Sequence, residues 1–167
     1  QIIQRISRVF GSRVGVYHSR YSDSQRVHVY RNLLGLTDDE TYDVVIGVRS
    51  AIFLPFQNLG LVIIDEEHEN TYKQHDPAPR YHARDTAQVL SLHHNARVLM
   101  GTATPSFESL HNARTQKFAY VHLSSRFGEV EPPEIVLADI KVATKRKQMV
   151  SHFTPQLMEA IREALEA

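Results

Sequence analysis

Apolar residues along the chain fall into two kinds of segment. The first kind is short and continuous: YDVVIGV (42–48), LGLVIID (59–65) and RVLMGTAT (97–104). Such runs fit strands buried on both faces. RVGVYHS (13–19) is a β-rich run of similar length, and FAYVHL (118–123) and IVLADI (135–140) are further strand candidates. The second kind has a helical period. IIQRISRVF sets Ile2, Ile3, Ile6, Val9 and Phe10 on one face. YSDSQRVHVYRNLLG (21–35) opens on Ser22 or Asp23 as cap, spaces Val27, Tyr30 and Leu34, and stops at Gly35. HARDTAQVLSLHHN (82–95) spaces Ala83, Ala87 and Leu90 and ends at Asn95. TPSFESLHNAR (104–114) restarts a helix with Pro105 in its first turn. TPQLMEAIREALEA (154–167) has Thr154 as cap, Pro155 in the first position, and Leu157, Met158, Ile161 and Leu165 in helical spacing. Between them, SSRFGEVEPPE (124–134) reads as a Pro-containing connector and KVATKRKQ (141–148) as a solvated basic loop.

Continuous apolar strands alternating with amphipathic helices predict an α/β fold, a mostly parallel sheet covered on both faces. In such sheets ligands collect beyond the carboxyl ends of the strands. Arg49-Ser50, the acids at 65–67 and Thr102 to Thr104 all follow strands at that end.

Bulk composition narrows the partners rather than naming them. Nineteen Lys and Arg balance nineteen Asp and Glu, so a nucleic-acid site would have to be a local basic groove. The chain has no cysteine, which excludes a disulfide scaffold and thiolate zinc sites and is compatible with the cytosol. No apolar run approaches the roughly 18 residues of a membrane span. Ten histidines invite a metal reading, and His68, His75 and His82 recur every seven residues. No HExxH occurs, so scattered structural or surface histidines are the expectation. The chain starts on Gln1 and both ends lie inside helical patterns, so it reads as a piece of a longer protein.

The chemistry concentrates where LVIID runs into EEHE (61–69). Asp65 leaves a buried strand where Mg²⁺ could be held directly or through water, with substrate phosphates completing its shell. Glu66 could take a proton from a water attacking phosphorus. By itself, DEEH reads equally as a solvated strand end. GTATPS (101–106) also follows an apolar strand, and its hydroxyls could bond Asp65 or Glu66; alone it is an ordinary strand-to-helix turn. NTYKQHDPAPRYHARD (70–85) sets Tyr72, Lys73, His75, Arg80, Tyr81 and His82 in a Pro-containing loop beside the acids. Aromatic faces stack bases without sequence preference and cations meet phosphates, although the tyrosines could equally pack on the sheet.

The combination is more specific than its parts. VIIDEEH followed by LMGTATPS resembles motifs II and III of superfamily 2 helicases of the DExH group. GVRSAIFLPF, NLGLVIIDEEHE, YKQ, RYHARD and GTATPS together resemble the bacterial primosomal replication-restart helicases, from HSRYSDSQR (18–26) to the strand expected near 135–140. The resemblance implies a three-layer RecA-like lobe of the P-loop NTPase type, truncated at its N-terminus, over residues 1–125. Residues 126–167 would be the connector and the start of the second helicase lobe. It implies ATP with Mg²⁺ at Asp65 and Glu66, Glu67 and His68 completing the motif, and His68 coupling nucleotide to Gly101, Thr102, Ala103 and Thr104. It implies that Arg49 and Ser50 touch the DNA backbone. Tyr72, Lys73, Arg80, Tyr81 and His82 would lie in an aromatic-rich loop that senses single-stranded DNA. Pro79 stands where the family often has a further aromatic, which reduces the stacking surface.

The resemblance further implies a cytoplasmic, nucleoid-associated 3′-to-5′ DNA helicase acting on single-stranded and forked DNA. Primosome proteins and a single-stranded-DNA-binding protein would be its partners, with zinc in a downstream part. No G-x-x-x-x-G-K-[ST] occurs, so the phosphate cradle is absent and the chain alone is expected not to hydrolyse ATP. Three rivals remain: another DExH translocase, a non-catalytic interaction domain, and a metal-dependent nuclease using Asp65, Glu66 and Glu67. The last would want a further carboxylate and a lysine from the next strand, which RVLMGTAT does not supply.

Overall fold

The computed structural model describes residues 1–125 and 133–166. The chain divides into two compact units, Gln1–Tyr120 and Val121–Ala167.

In the first unit the order is α1 (Ile2–Phe10), β1 (Val14–Tyr17), α2 (Asp23–Leu33), β2 (Val44–Gly47), a 3₁₀ turn (Arg49–Phe53) and β3 (Leu61–Asp65). A second 3₁₀ turn (Asn70–Tyr72), α3 (Ala83–His94), β4 (Arg97–Gly101) and α4 (Phe107–Arg114) follow. The strands are parallel, as the pattern predicts, and the described ladders form two pairs, β1 with β2 and β3 with β4. Burial on both faces does not hold for the second pair. Ile64 is buried and α3, with Ala83 and Ala87 buried, packs on β3 and β4, whereas Leu61, Ile63 and Leu99 on the other face are exposed. The side-chain alternation of a strand puts odd and even positions on opposite faces, so one helix covers only one set.

The caps explain the helix boundaries. Ser22, of the two candidates, caps α2 in a reciprocal box with Gln25. Asn95 ends α3 in the left-handed conformation at φ 52°. Helix α4 differs from expectation: it starts at Phe107 and Pro105 lies ahead of it, because the Ser106 hydroxyl takes the Ser109 N–H and sets the boundary.

A small core of Val29, Leu33 and Leu54, with Tyr17, Tyr42 and Phe56, ties α2 to β1 and β2. Asn32 is fully buried beside it. Its amide donates to Thr37 Oγ1 and the Glu40 carbonyl, and its Oδ1 accepts the Tyr42 N–H at 2.9 Å. That side chain shapes the α2–β2 connection. Asn32→Leu strands the Tyr42 N–H and the Glu40 carbonyl, and is expected to cost about 1–3 kcal/mol in urea unfolding.

The second unit corrects three expectations. Neither 118–123, which straddles the unit boundary, nor 135–140 forms a strand, and the basic run 141–148 is helical through Lys145 rather than a loop throughout. Instead α5 (Ile140–Lys145) forms because the Asp139 carboxylate accepts the N–H groups of Lys141 and Val142. A short acidic side chain that captures its own following amides opposes an extended ladder. Helix α6 (Pro155–Glu166) begins where expected, with Thr154 Oγ1 accepting the Leu157 N–H. Most of the 124–134 connector lies outside the described residues.

Candidate functional site

Parallel pairing places Asp65 opposite Gly101, so β3 and β4 deliver their last residues to the same edge. The Glu67 N–H donates to the Gly101 carbonyl at 3.1 Å and extends that pairing past the strand end. Between them Glu66 has φ 48°, a left-handed conformation that a side chain adopts only when its surroundings impose it. Asp65 Oδ1 accepts the Glu66 N–H at 3.1 Å, which helps hold the turn.

This turn sends the neighbouring acids in opposite directions. The Glu66 side chain is 52% exposed, while Glu67 is 1% exposed. Glu67 Oε1 accepts the Ser106 N–H at 2.7 Å. Its Oε2 accepts from Arg84 Nη1 at 2.9 Å and from the hydroxyls of Ser106 and Ser109. Burial pushes the Glu67 carboxyl up, but these hydrogen bonds outweigh it and hold it below the ordinary carboxylate range.

His68 turns back toward the residues after β4. Its Nδ1 shares a 2.7 Å hydrogen bond with Thr102 Oγ1, and Thr104 Oγ1 lies 3.4 Å from both ring nitrogens. Thr102 Oγ1 also accepts the Thr104 N–H, so a single hydroxyl orders this segment, with Ala103 exposed between the two threonines. Glu66 Oε2 sits 3.4 Å from His68 Nδ1. The structure therefore links the exposed acid to the second strand end through one imidazole.

The loop is joined to the same turn. The Tyr72 hydroxyl donates to the Asp65 carbonyl at 2.6 Å. Burial, then the charges of Asp65, Glu69 and Glu66, push the Tyr72 phenol up and keep it protonated as that donor. Arg49 Nη1 donates to the carbonyls of Thr71 and Lys73, so its guanidinium steadies the loop backbone. The 3₁₀ turn carrying Arg49 and half-buried Ser50 folds tightly onto β2: a Cβ on Gly47 would lie 2.3 Å from that of Ala51. Farther out, Lys73 bridges His82, and the Gln74 N–H donates to the Tyr81 carbonyl, closing the loop's stem. Tyr81 packs edge-to-face on Phe53 at 4.7 Å, and Arg80 is exposed. Burial pushes the His82 imidazole down, against the pull of Asp85, and its Nδ1 is buried without a partner among the described residues.

A DEAD/DEAH box helicase model matches residues 1–113, which span both strand pairs and the acidic turn. The chain belongs to the DEAD/DEAH box helicase family. Among curated relatives of this helicase chain is the Replication restart protein PriA of Chlamydia trachomatis, 41% identical over 94% of the chain and 20% of the relative. The PriA proteins of Bacillus subtilis and Haemophilus influenzae are 37% and 39% identical over 99% of the chain, and over 20% and 22% of their own lengths. The chain thus spans about a fifth of the length of the curated relatives it matches.

For Mg²⁺ the donor set is sparse but suitable. No group of three or more His, Asp or Glu converges on a metal position among the described residues. Asp65 is exposed at the strand end, and a cation that takes one or two carboxylates plus phosphate oxygens needs no fuller cage. Arg84, Ser106 and Ser109 received no role from the sequence, although Arg84 lies within RYHARD. Only their convergence on one buried carboxylate marks them. No helix among the described residues is long and apolar enough to cross a membrane.

Proposed function

We propose that this helicase chain is part of the first motor lobe of an ATP-dependent replication-restart helicase that moves 3′ to 5′ on DNA. The observation that carries the reading is the hydrogen bond of His68 with Thr102, which joins the ends of two parallel strands beside Asp65 and Glu66. A nucleotide-driven motor needs such a connection, because hydrolysis at one strand end must be felt at the next. The parallel strands and flanking helices suit a three-layer RecA-like lobe over residues 1–125, with 126–167 leading into the second lobe.

In this reading Asp65 holds Mg²⁺ with the nucleotide phosphates, and the ion neutralises charge on the transferred phosphoryl group. Glu66, exposed and next to His68, orients the attacking water and accepts its proton. His68 reports that state to Thr102 and Thr104. Glu67 serves position rather than chemistry, since both its oxygens are already engaged. That engagement also weighs against the nuclease alternative, which would use all three acids. Arg49 and Ser50 carry the DNA-backbone segment, and Tyr72, Lys73, Arg80, Tyr81 and His82 the loop that senses single-stranded DNA, with Tyr81 anchoring that loop on Phe53. The longer protein would act in the bacterial cytoplasm on forked and single-stranded DNA, with primosome proteins and a single-stranded-DNA-binding protein, and with zinc bound outside this chain.

Phosphate release tests the assignment. The longer protein is expected to hydrolyse ATP with strong stimulation by single-stranded DNA. This chain alone, with no G-x-x-x-x-G-K-[ST], is expected to show none. Magnesium-dependent DNA cleavage without ATP turnover would replace the motor with the nuclease.

A further inference from the structure

The buried cluster around Glu67 has a shape that packing alone does not require. Glu67 takes four hydrogen bonds from three residues, Arg84, Ser106 and Ser109. They come from different elements. Arg84 is in the first turn of α3, Ser106 caps α4, and Ser109 lies inside α4. Arg84 Nη1 reaches Glu67 Oε2 at 2.9 Å and Ser106 Oγ at 2.8 Å, so one guanidinium nitrogen serves both neighbours. The Arg84 side chain is 12% exposed and that of Glu67 is 1% exposed.

Apolar residues of similar volume would hold three elements together at least as firmly, because desolvating an ion pair consumes much of its attraction. Directed bonds add register: they allow one placement of the carboxylate, where apolar packing tolerates several. Both ends of this pair matter. Glu67 is bonded through the backbone to Glu66, the acid assigned to the attacking water. Arg84 follows His82, whose bridge with Lys73 closes the stem of the DNA-sensing loop. Only one residue separates that stem from Arg84, and it is Ala83, itself buried.

We infer that Arg84 and Glu67, with Ser106 and Ser109, form a strut that carries the position of the loop to the acidic turn and to the segment after β4. Arg84 and Glu67 are positioning residues, and the inference rests on the helicase reading above. When DNA moves the loop stem, Arg84 moves with it. The shared carboxylate then shifts the turn that holds Glu66 and the α4 cap that follows Thr104. This path is separate from the Tyr72–Asp65 contact, which leaves the loop from its other end.

The test uses the longer helicase that contains this chain, with single-stranded oligonucleotide as the probe. Three variants are compared with the unsubstituted protein: Arg84→Lys, Glu67→Gln, and the apolar pair Arg84→Met with Glu67→Leu. The readouts are the ratio of DNA-stimulated to basal turnover and the melting midpoint. Each single variant is expected to lower the ratio by about 10-fold or more, in line with the cost of slight misplacement at a reacting centre. The apolar pair is expected to regain the midpoint and keep the low ratio, which a purely structural role would not produce. An apolar pair with both midpoint and ratio restored overturns the strut, as do single variants with an unchanged ratio. Should the apolar pair fail to fold, Ser109→Ala decides: it removes one of the four bonds, a several-fold fall in ratio supports the strut, and no change overturns it. An unsubstituted protein without DNA stimulation overturns the helicase reading and this inference with it. A stimulated protein with insensitive variants overturns this inference alone.

Discussion

A Glu66→Gln variant of the longer protein is expected to bind nucleotide normally and to lose turnover by about 100- to 10,000-fold, the usual worth of a positioned general base. The amide is nearly the same size, so the left-handed turn at φ 48° and the buried contacts of Glu67 are retained. What is lost is the proton acceptor. The neighbouring Glu67 cannot substitute, because it points inward with both oxygens bonded and only 1% of its surface exposed. Two measurements check this: fluorescent-nucleotide titration for binding, and phosphate release at saturating ATP and DNA. Hydrolysis within a few-fold of normal would remove Glu66 from the reaction and shift attention to Asp65 or to a water-positioning group elsewhere.

Tyr72→Phe is expected to reduce the DNA-stimulated rate by on the order of 10- to 100-fold, and the basal rate by much less. The substitution deletes one oxygen, the one that donates to the Asp65 carbonyl at 2.6 Å, and leaves a ring that can still stack on a base. DNA affinity should therefore hold while the direct Tyr72–Asp65 connection from loop to acids is cut. Tyr81 offers a contrast. It packs on Phe53, so Tyr81→Ala should lower the melting midpoint and depress both rates together. Equal ratios of stimulated to basal turnover in Tyr72→Phe and the unsubstituted protein would reduce the hydroxyl to a packing detail.

Legibility differed by element for identifiable reasons. Strands β2, β3 and β4 were readable because continuous apolar runs end at Gly or at acids. Helices α2, α3 and α6 were readable because their caps are local: Ser22, Asn95 and Thr154 act on residues within a few positions. IVLADI fits the strand pattern yet forms no strand, because a local cap competes with the apolar run. Its apolar residues satisfy the pattern, but Asp139 accepts the N–H groups of Lys141 and Val142 and turns the chain into α5. The start of α4 falls beyond Pro105 through a similar local competition, in which the Ser106 hydroxyl becomes the cap.

Within the candidate site, the chain order alone determined that two strands would end in DEEH and GTAT, and that an aromatic and cationic loop would follow the first. Motif spacing carried that much, because parallel strands bring their carboxyl ends to one edge whatever the details. Only the tertiary structure decided which of the acids face solvent and which one is buried. Asp65, Glu66 and Glu67 are adjacent and chemically alike, and a single left-handed residue separates their fates. It also decided that Arg49 steadies the loop through Thr71 and Lys73, and that Arg84, Ser106 and Ser109 meet on one carboxylate. Those contacts join residues 17 to 42 positions apart, and no local periodicity encodes a meeting that depends on how strands and helices pack.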